Sequence, residues 1–115
     1  MIAHKPIYHF DGWRLDVGRR RLYQPNGDEI LLTSTSFDLL TLFCSRPQTV
    51  ITRDEITNAV TPHRHRVSLS RAVDVMVSRL RSRLNLVLGS EDLIVNVRHG
   101  GYYFTPPVYV VWNDA

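Results

Sequence analysis

Polar and apolar residues alternate with a short period at the start of the chain and with a helical period after Thr33. Ile7 to Phe10, Trp13 to Asp16, Arg21 to Gln24 and Glu29 to Leu32 read as short strands, separated by Asp11-Gly12, Val17-Gly18 and Asn26-Gly27. Asn-Gly between two apolar runs is the expected site of a type I′ turn, which needs positive φ at both central residues. The expectation is an antiparallel meander of four strands with one face left to pack on helices. From Thr33 the spacing of Phe37, Leu40, Phe43 and Cys44 predicts a helix that ends before Pro47. Val50-Ile51 reads as a short extended link. Thr52-Arg53-Asp54-Glu55 has the form of a capping box, so a second helix is expected from there to about Val60, stopped by Pro62.

The third helical pattern, Ser70 to Asn85, is the most informative part of the chain. Val73, Val77, Leu80 and Leu84 fall on one stripe with Met76 at its edge. Arg71, Val75, Ser78 and Ser82 fall opposite, flanked by Asp74, Arg79, Arg81 and Arg83. A strand from about Leu93 to Arg98 then turns at His99-Gly100-Gly101 and returns through Tyr102, Tyr103 and Phe104 until Pro106-Pro107. Tyr102 and Phe104 alternate with Tyr103, which predicts one buried and one partly exposed face. Two readings of the tail, Val108 to Trp112, stand: an extra strand on the domain, which is preferred, or a surface for a partner.

Charge sharpens this picture. The 115 residues, 43% apolar, make one domain with a net charge of +3, and 13 of the 14 basic residues are arginine. Between Pro62 and Arg83 six arginines face a single carboxylate, Asp74. Arginine's planar fork suits phosphate and guanine better than lysine's point charge does. A basic helix followed by a basic hairpin suits a DNA duplex gripped at the major groove and the adjacent minor groove. The expected fold is α+β: a winged helix-turn-helix with an N-terminal four-stranded antiparallel sheet, three helices and a C-terminal β-hairpin wing. Its core spans about residues 8–104, with 105–115 as an extension.

Other chemistries find little support. Cys44 is the only cysteine and sits among leucines and Phe43, as a structural thiol would. His63, His65 and His99 lack the carboxylate cluster of a metal site. There is no phosphate loop, nucleophile elbow or Cys–His pair, so neither an enzyme nor a cofactor is expected. No apolar run is long enough to span a bilayer and no signal peptide is evident, so a cytoplasmic location is expected.

Four blocks, LTSTSFDLLTLF, VITRDEI, RAVDVMVSRLRSRL and LIVNVRHGGYYF, resemble in order and spacing the C-terminal effector domain of OmpR/PhoB-type response regulators. With FDGWRLDVGRRRL before them, the resemblance covers about residues 8–104. It implies that the third helix enters the major groove and the wing the minor groove. It places Arg71, Asp74, Val75, Ser78 and Arg79 at groove-facing positions and Arg98 at the wing arginine. Arg71 and Arg79 are the expected base readers, Val75 is either a neighbour for a thymine methyl or an incidental exposed valine, and Asp74 either accepts from cytosine or, as preferred, orients Arg71 or Arg79. Ser78 and Arg81 are expected on phosphates, with Asn96 assisting at the backbone. The loop carrying His63, Arg64, His65 and Arg66 corresponds to the polymerase-contacting loop. The resemblance further implies direct-repeat promoter sites, a homodimer on DNA, RNA polymerase as a partner and a separate receiver domain in the full-length protein. Two departures stand out: Ser36 replaces the usual glutamate before the first helix's aromatic, and Arg98-His99-Gly100-Gly101-Tyr102 replaces Arg-Gly-x-Gly-Tyr. In that wing, the glycines are expected to take the positive-φ positions. The alternatives keep the fold: the DNA-binding domain of a membrane-anchored transcription factor without a receiver, or a winged helix used as a protein-interaction module.

Overall fold

The structure, a computed structural model, describes residues 5–60, 69–87 and 89–113. These form two compact units, one from the segments up to Leu31 and from Pro106 onward, the other from Leu32 to Thr105.

The first unit is an antiparallel sheet. Its strands are β1 (Lys5–Phe10), β2 (Trp13–Asp16), β3 (Arg21–Tyr23), β4 (Glu29–Ile30) and β8 (Tyr109–Asn113), in the order β4-β3-β2-β1-β8. The tail therefore supplies a fifth strand, as the preferred reading of Val108 to Trp112 held. Register places Val110, Tyr8, Leu15, Leu22 and Ile30 in one row across all five strands. The last four of these are buried, and Phe10 stacks on Trp13 with ring centroids 6.1 Å apart. On the other face Arg14 lies over the Tyr23 ring at 4.4 Å, beside its cross-strand partner. Arg21 forms an ion pair with Glu29 at 3.1 Å, within the sheet.

The turn chemistry differs from expectation. Asp11 and Gly12 both have positive φ (44° and 85°) between the paired Phe10 and Trp13, so the type I′ turn is here. Between β3 and β4 only Gly27 has positive φ, and the chain closes through Gly27 N–H donating to the Gln24 carbonyl at 2.8 Å. Pro25 fixes a negative φ at the first central position. The Asn-Gly pair is thus displaced from the centre of the turn, and Asn26 instead accepts from Asp28 N–H at 2.9 Å.

The second unit holds α1 (Ser34–Ser45), β5 (Val50–Ile51), α2 (Arg53–Val60), α3 (Leu69–Leu84), β6 (Ile94–Val97) and β7 (Gly101–Phe104). Thr33 caps α1 by accepting from Ser36 N–H at 3.1 Å. Thr52 Oγ1 accepts from Glu55 N–H at 3.1 Å, as the capping box requires. The Glu55 carboxylate also pairs with Arg46, which holds it below the usual carboxylate range. Phe37, Leu39, Leu40 and Phe43 are buried, with Phe43 stacked on Phe104 at 5.9 Å. Cys44 is buried as expected, and burial pushes its thiol pKa well up.

Val50-Ile51 is more than a link. It pairs with Tyr103 and Tyr102, so the wing sheet has three strands in the order β5-β7-β6. Gly101 permits this approach: its φ is 127°, and a Cβ there would lie 2.2 Å from the Ile51 carbonyl oxygen.

Candidate nucleic-acid interface

The interface is built on α3. Val73, Val77, Leu80 and Leu84 are all buried, as the stripe predicts. Burying side chains of this size contributes about 1.5–3 kcal/mol each, enough to fix the helix's rotation about its own axis. With that rotation set, the opposite face is determined by the 3.6-residue period. Val75, Ser78, Arg79 and Ser82 are exposed on it. Val75 is 41% exposed, an aliphatic side chain on a polar face. Arg79 forms no ion pair among the described residues. The side chain of Arg71, and the whole of the loop with His63, Arg64, His65 and Arg66, lie outside the described residues.

Asp74 and Arg81 share a third face, two turns apart, and both are engaged by other elements. Asp74 Oδ1 accepts from Arg53 Nε at 2.9 Å and from the Tyr102 hydroxyl in a short hydrogen bond. Its described partners come from α2 and the wing rather than from Arg79, and the expected contact with Arg71 lies outside the described residues. The Tyr102 hydrogen bond, and then Arg53, hold the Asp74 carboxyl below the usual range against the opposing effect of burial. Because its folded pKa is depressed, the tie is present above the ordinary carboxylate pKa and is lost as pH falls through the lowered value.

Arg81 donates from Nε to the Ile94 carbonyl at 3.0 Å and from Nη2 to Asn96 Oδ1 at 2.6 Å. Its guanidinium also lies 5.6 Å from the centre of the Tyr102 ring, and that of Arg53 lies 5.2 Å away. Asn96 and Tyr102 are cross-strand partners in the wing. Arg81 and Asn96, both expected at the DNA backbone, thus bond each other. Arg53 and the Tyr102 hydroxyl escaped the sequence reading. Arg53 is 21 positions from Asp74, beyond any local pattern, and Tyr102 reads as core, which its ring is.

At the wing tip Arg98 is exposed between β6 and β7. Gly100 N–H donates to the Val97 carbonyl at 2.9 Å, closing a turn in which His99 has φ 62°. Of the two glycines only Gly101 has positive φ. The left-handed position expected of a glycine is thus occupied by His99. This is a backbone conformation that costs a side-chain-bearing residue roughly 1–2 kcal/mol. His99→Gly is expected to leave the wing's register intact and to raise or hold the thermal midpoint; a clear fall in a thermal melt would contradict the strain.

Among the described residues no group of histidines, cysteines and carboxylates is placed to hold a metal ion, and no helix is long and apolar enough to cross a membrane.

Comparison with known proteins agrees with this geometry. A family model described as "Transcriptional regulatory protein, C terminal" matches residues 27–104. The transcriptional regulatory protein GltR of Pseudomonas aeruginosa is 42% identical over 102 residues, covering 89% of this chain and 42% of GltR. The chain thus spans less than half the length of that relative. Among solved structures, the Klebsiella pneumoniae RstA DNA-binding domain in complex with the RstA box superposes with a TM-score of 0.74 at 25% identity. The match covers 86% of this chain and 96% of that one. The DNA-binding domain of Escherichia coli CadC superposes with a TM-score of 0.77 at 27% identity, covering 96% and 100%. This chain belongs to the family of transcriptional regulatory protein C-terminal domains, of the OmpR/PhoB winged-helix type, a family of DNA-binding regulator domains rather than enzymes.

Proposed function

We propose that this domain binds double-stranded promoter DNA sequence-specifically, as the effector part of a two-component response regulator. The observation that carries the reading is the free face of α3. An aliphatic stripe fixes the helix, and Val75, Ser78 and Arg79 stand exposed beside a wing whose tip presents Arg98. The likeness to RstA bound to its box supports the same use of the fold. In this reading Arg79, with Arg71, reads guanine through a bidentate fork, Val75 meets a thymine methyl and Ser78 donates to phosphate. Arg98 enters the minor groove, where narrow A·T-rich stretches attract arginine. The remaining donors of Arg81 and the amide of Asn96 lie nearest the backbone between the grooves, and Asp74 acts indirectly.

The wider setting is part of the same proposal. A receiver domain belongs to the full-length protein, a second copy occupies the other half of a direct repeat, and the loop from His63 to Arg66 meets RNA polymerase. The protein works in the cytoplasm, where its promoter is.

The test is a titration against promoter fragments and a scrambled duplex at several salt concentrations. Site-dependent affinity that falls steeply with salt is expected. Arg98→Ala is expected to weaken binding chiefly at sites with A·T-rich flanks. Equal weak binding to every duplex would remove the specific reading, and an Arg98→Ala domain with wild-type affinity at those flanks would remove the wing assignment.

A further inference from the structure

On the side of α3 that faces the wing, Asp74 and Arg81 are already bonded to protein. Three elements meet there. Arg53 from α2 and Tyr102 from β7 converge on one oxygen of Asp74, and Arg81 reaches the β6 backbone and Asn96 while lying over the same tyrosine ring. The ring of Tyr102 is packed in the interior, so its hydroxyl reaches Asp74 from a fixed base. Two donors on one oxygen fix the direction of the carboxylate, as a positioning group needs.

We propose that Arg53, Asp74, Tyr102 and Arg81 form a lock that fixes the angle between the α3 reading face and the wing. They are positioning residues, and Arg53, which reaches the site from α2, completes the lock. The proposal rests on the DNA-binding reading above. Two reading elements that enter adjacent grooves must keep one spacing. A joint held by charge-assisted hydrogen bonds supplies that spacing before DNA arrives and lowers the ordering cost of binding. The lock also separates two jobs on one helix: Val75 and Arg79 discriminate, while Asp74 and Arg81 align.

Tyr102→Phe tests this with the least disturbance, since it keeps the packed ring and removes only the hydroxyl. Asp74→Asn is the second variant. Both are measured on the preferred promoter fragment with a quantitative footprint, and thermal melts report whether each variant is folded. The lock predicts that affinity falls roughly tenfold in each, the scale of one lost charge-assisted hydrogen bond. Protection of the minor-groove flank is lost before that of the major groove, and the ranking of base preferences is unchanged. Arg98→Ala is expected to cost less in the Tyr102→Phe background than in the wild type, because an unlocked wing no longer presents that arginine well.

A merely structural role would lower the melting midpoint, and the penalties of Tyr102→Phe and Arg98→Ala would simply add; additivity therefore overturns the lock. Wild-type affinity and full flank protection in both variants overturn it too. A changed base preference in Asp74→Asn overturns it in favour of direct reading. If the unaltered domain shows no site preference, the DNA-binding reading itself has failed, a result distinct from the others.

Discussion

Gly101→Ala is expected to disrupt the wing and to lower stability by about 3 kcal/mol or more. Two independent penalties meet at this residue. Its φ of 127° lies where side-chain-bearing residues are rarely found, and a Cβ would sit 2.2 Å from the Ile51 carbonyl oxygen and 2.9 Å from Thr52 Cα. Both atoms are backbone, at the β5 pairing and at the N-cap of α2, so neither can swing aside as a side-chain tip does. Relief requires β7 to move away from β5, which breaks the pairing of Tyr102 with Ile51. It also draws the Tyr102 hydroxyl off Asp74. Gly27→Ala is the matched control, since Gly27 has φ 94° but nothing within 4 Å of the added carbon. It is expected to cost only about 1–2 kcal/mol. Thermal unfolding of both variants decides the matter: a Gly101→Ala domain that melts with or above Gly27→Ala would show that β5 and β7 are not in the close approach described.

The second large effect is expected for Arg79→Ala. The side chain is exposed on the face of α3 opposite the buried stripe and forms no ion pair among the described residues, so its removal leaves the fold alone. A bidentate arginine–guanine pair contributes roughly 1–3 kcal/mol of discrimination, which is about a 5- to 150-fold loss of preference for the correct base. The loss is expected at one or two adjacent positions of the site, with little change on a scrambled duplex. Competition titrations with single-base-pair variants of the promoter fragment measure this directly. A uniform weakening across all sequences would mean that Arg79 holds phosphate and that discrimination lies elsewhere on the helix.

Legibility in the sequence followed the range of each signal. The α3 stripe was readable because Val73, Val77, Leu80 and Leu84 repeat within one element, and a period needs only neighbours. The same holds for the Thr52 cap and for the alternation of Tyr102, Tyr103 and Phe104. What escaped was set at a distance or by a single backbone angle. Val50-Ile51 is too short to show a period, and its strand identity comes only from β7. The bond from Arg53 to Asp74 joins two helices, and nothing local to either residue marks it. Asn26-Gly27 carried the right chemistry for a type I′ turn, but Pro25 moved the centre of the turn by one position, and Asp11-Gly12 took that geometry instead. At His99 the reverse occurred: position in the wing, rather than residue type, fixed the left-handed angle. The candidate DNA contacts lie on α3 and the wing, yet helix spacing alone could not separate Arg79, which forms no ion pair among the described residues, from a bonded guanidinium such as that of Arg81.

The pairing of β1 with the edge strand β8 also bears on the order in which the molecule can assemble. β1 and β8 lie side by side, with Lys5 opposite Asn113, although the whole of the second unit is encoded between them. During synthesis the meander of β1 to β4 leaves the ribosome before the helices and wing, with one edge of β1 open, and the segment that closes that edge is among the last of the described residues made. Such a long-range pairing is slow to form, because chain closure comes before any bond rewards it. The intervening helices and wing are complete before it, so a nascent chain is expected to acquire its reading surface earlier than its finished sheet. In that interval the open edge of β1 is the part of the molecule most in need of protection from other chains.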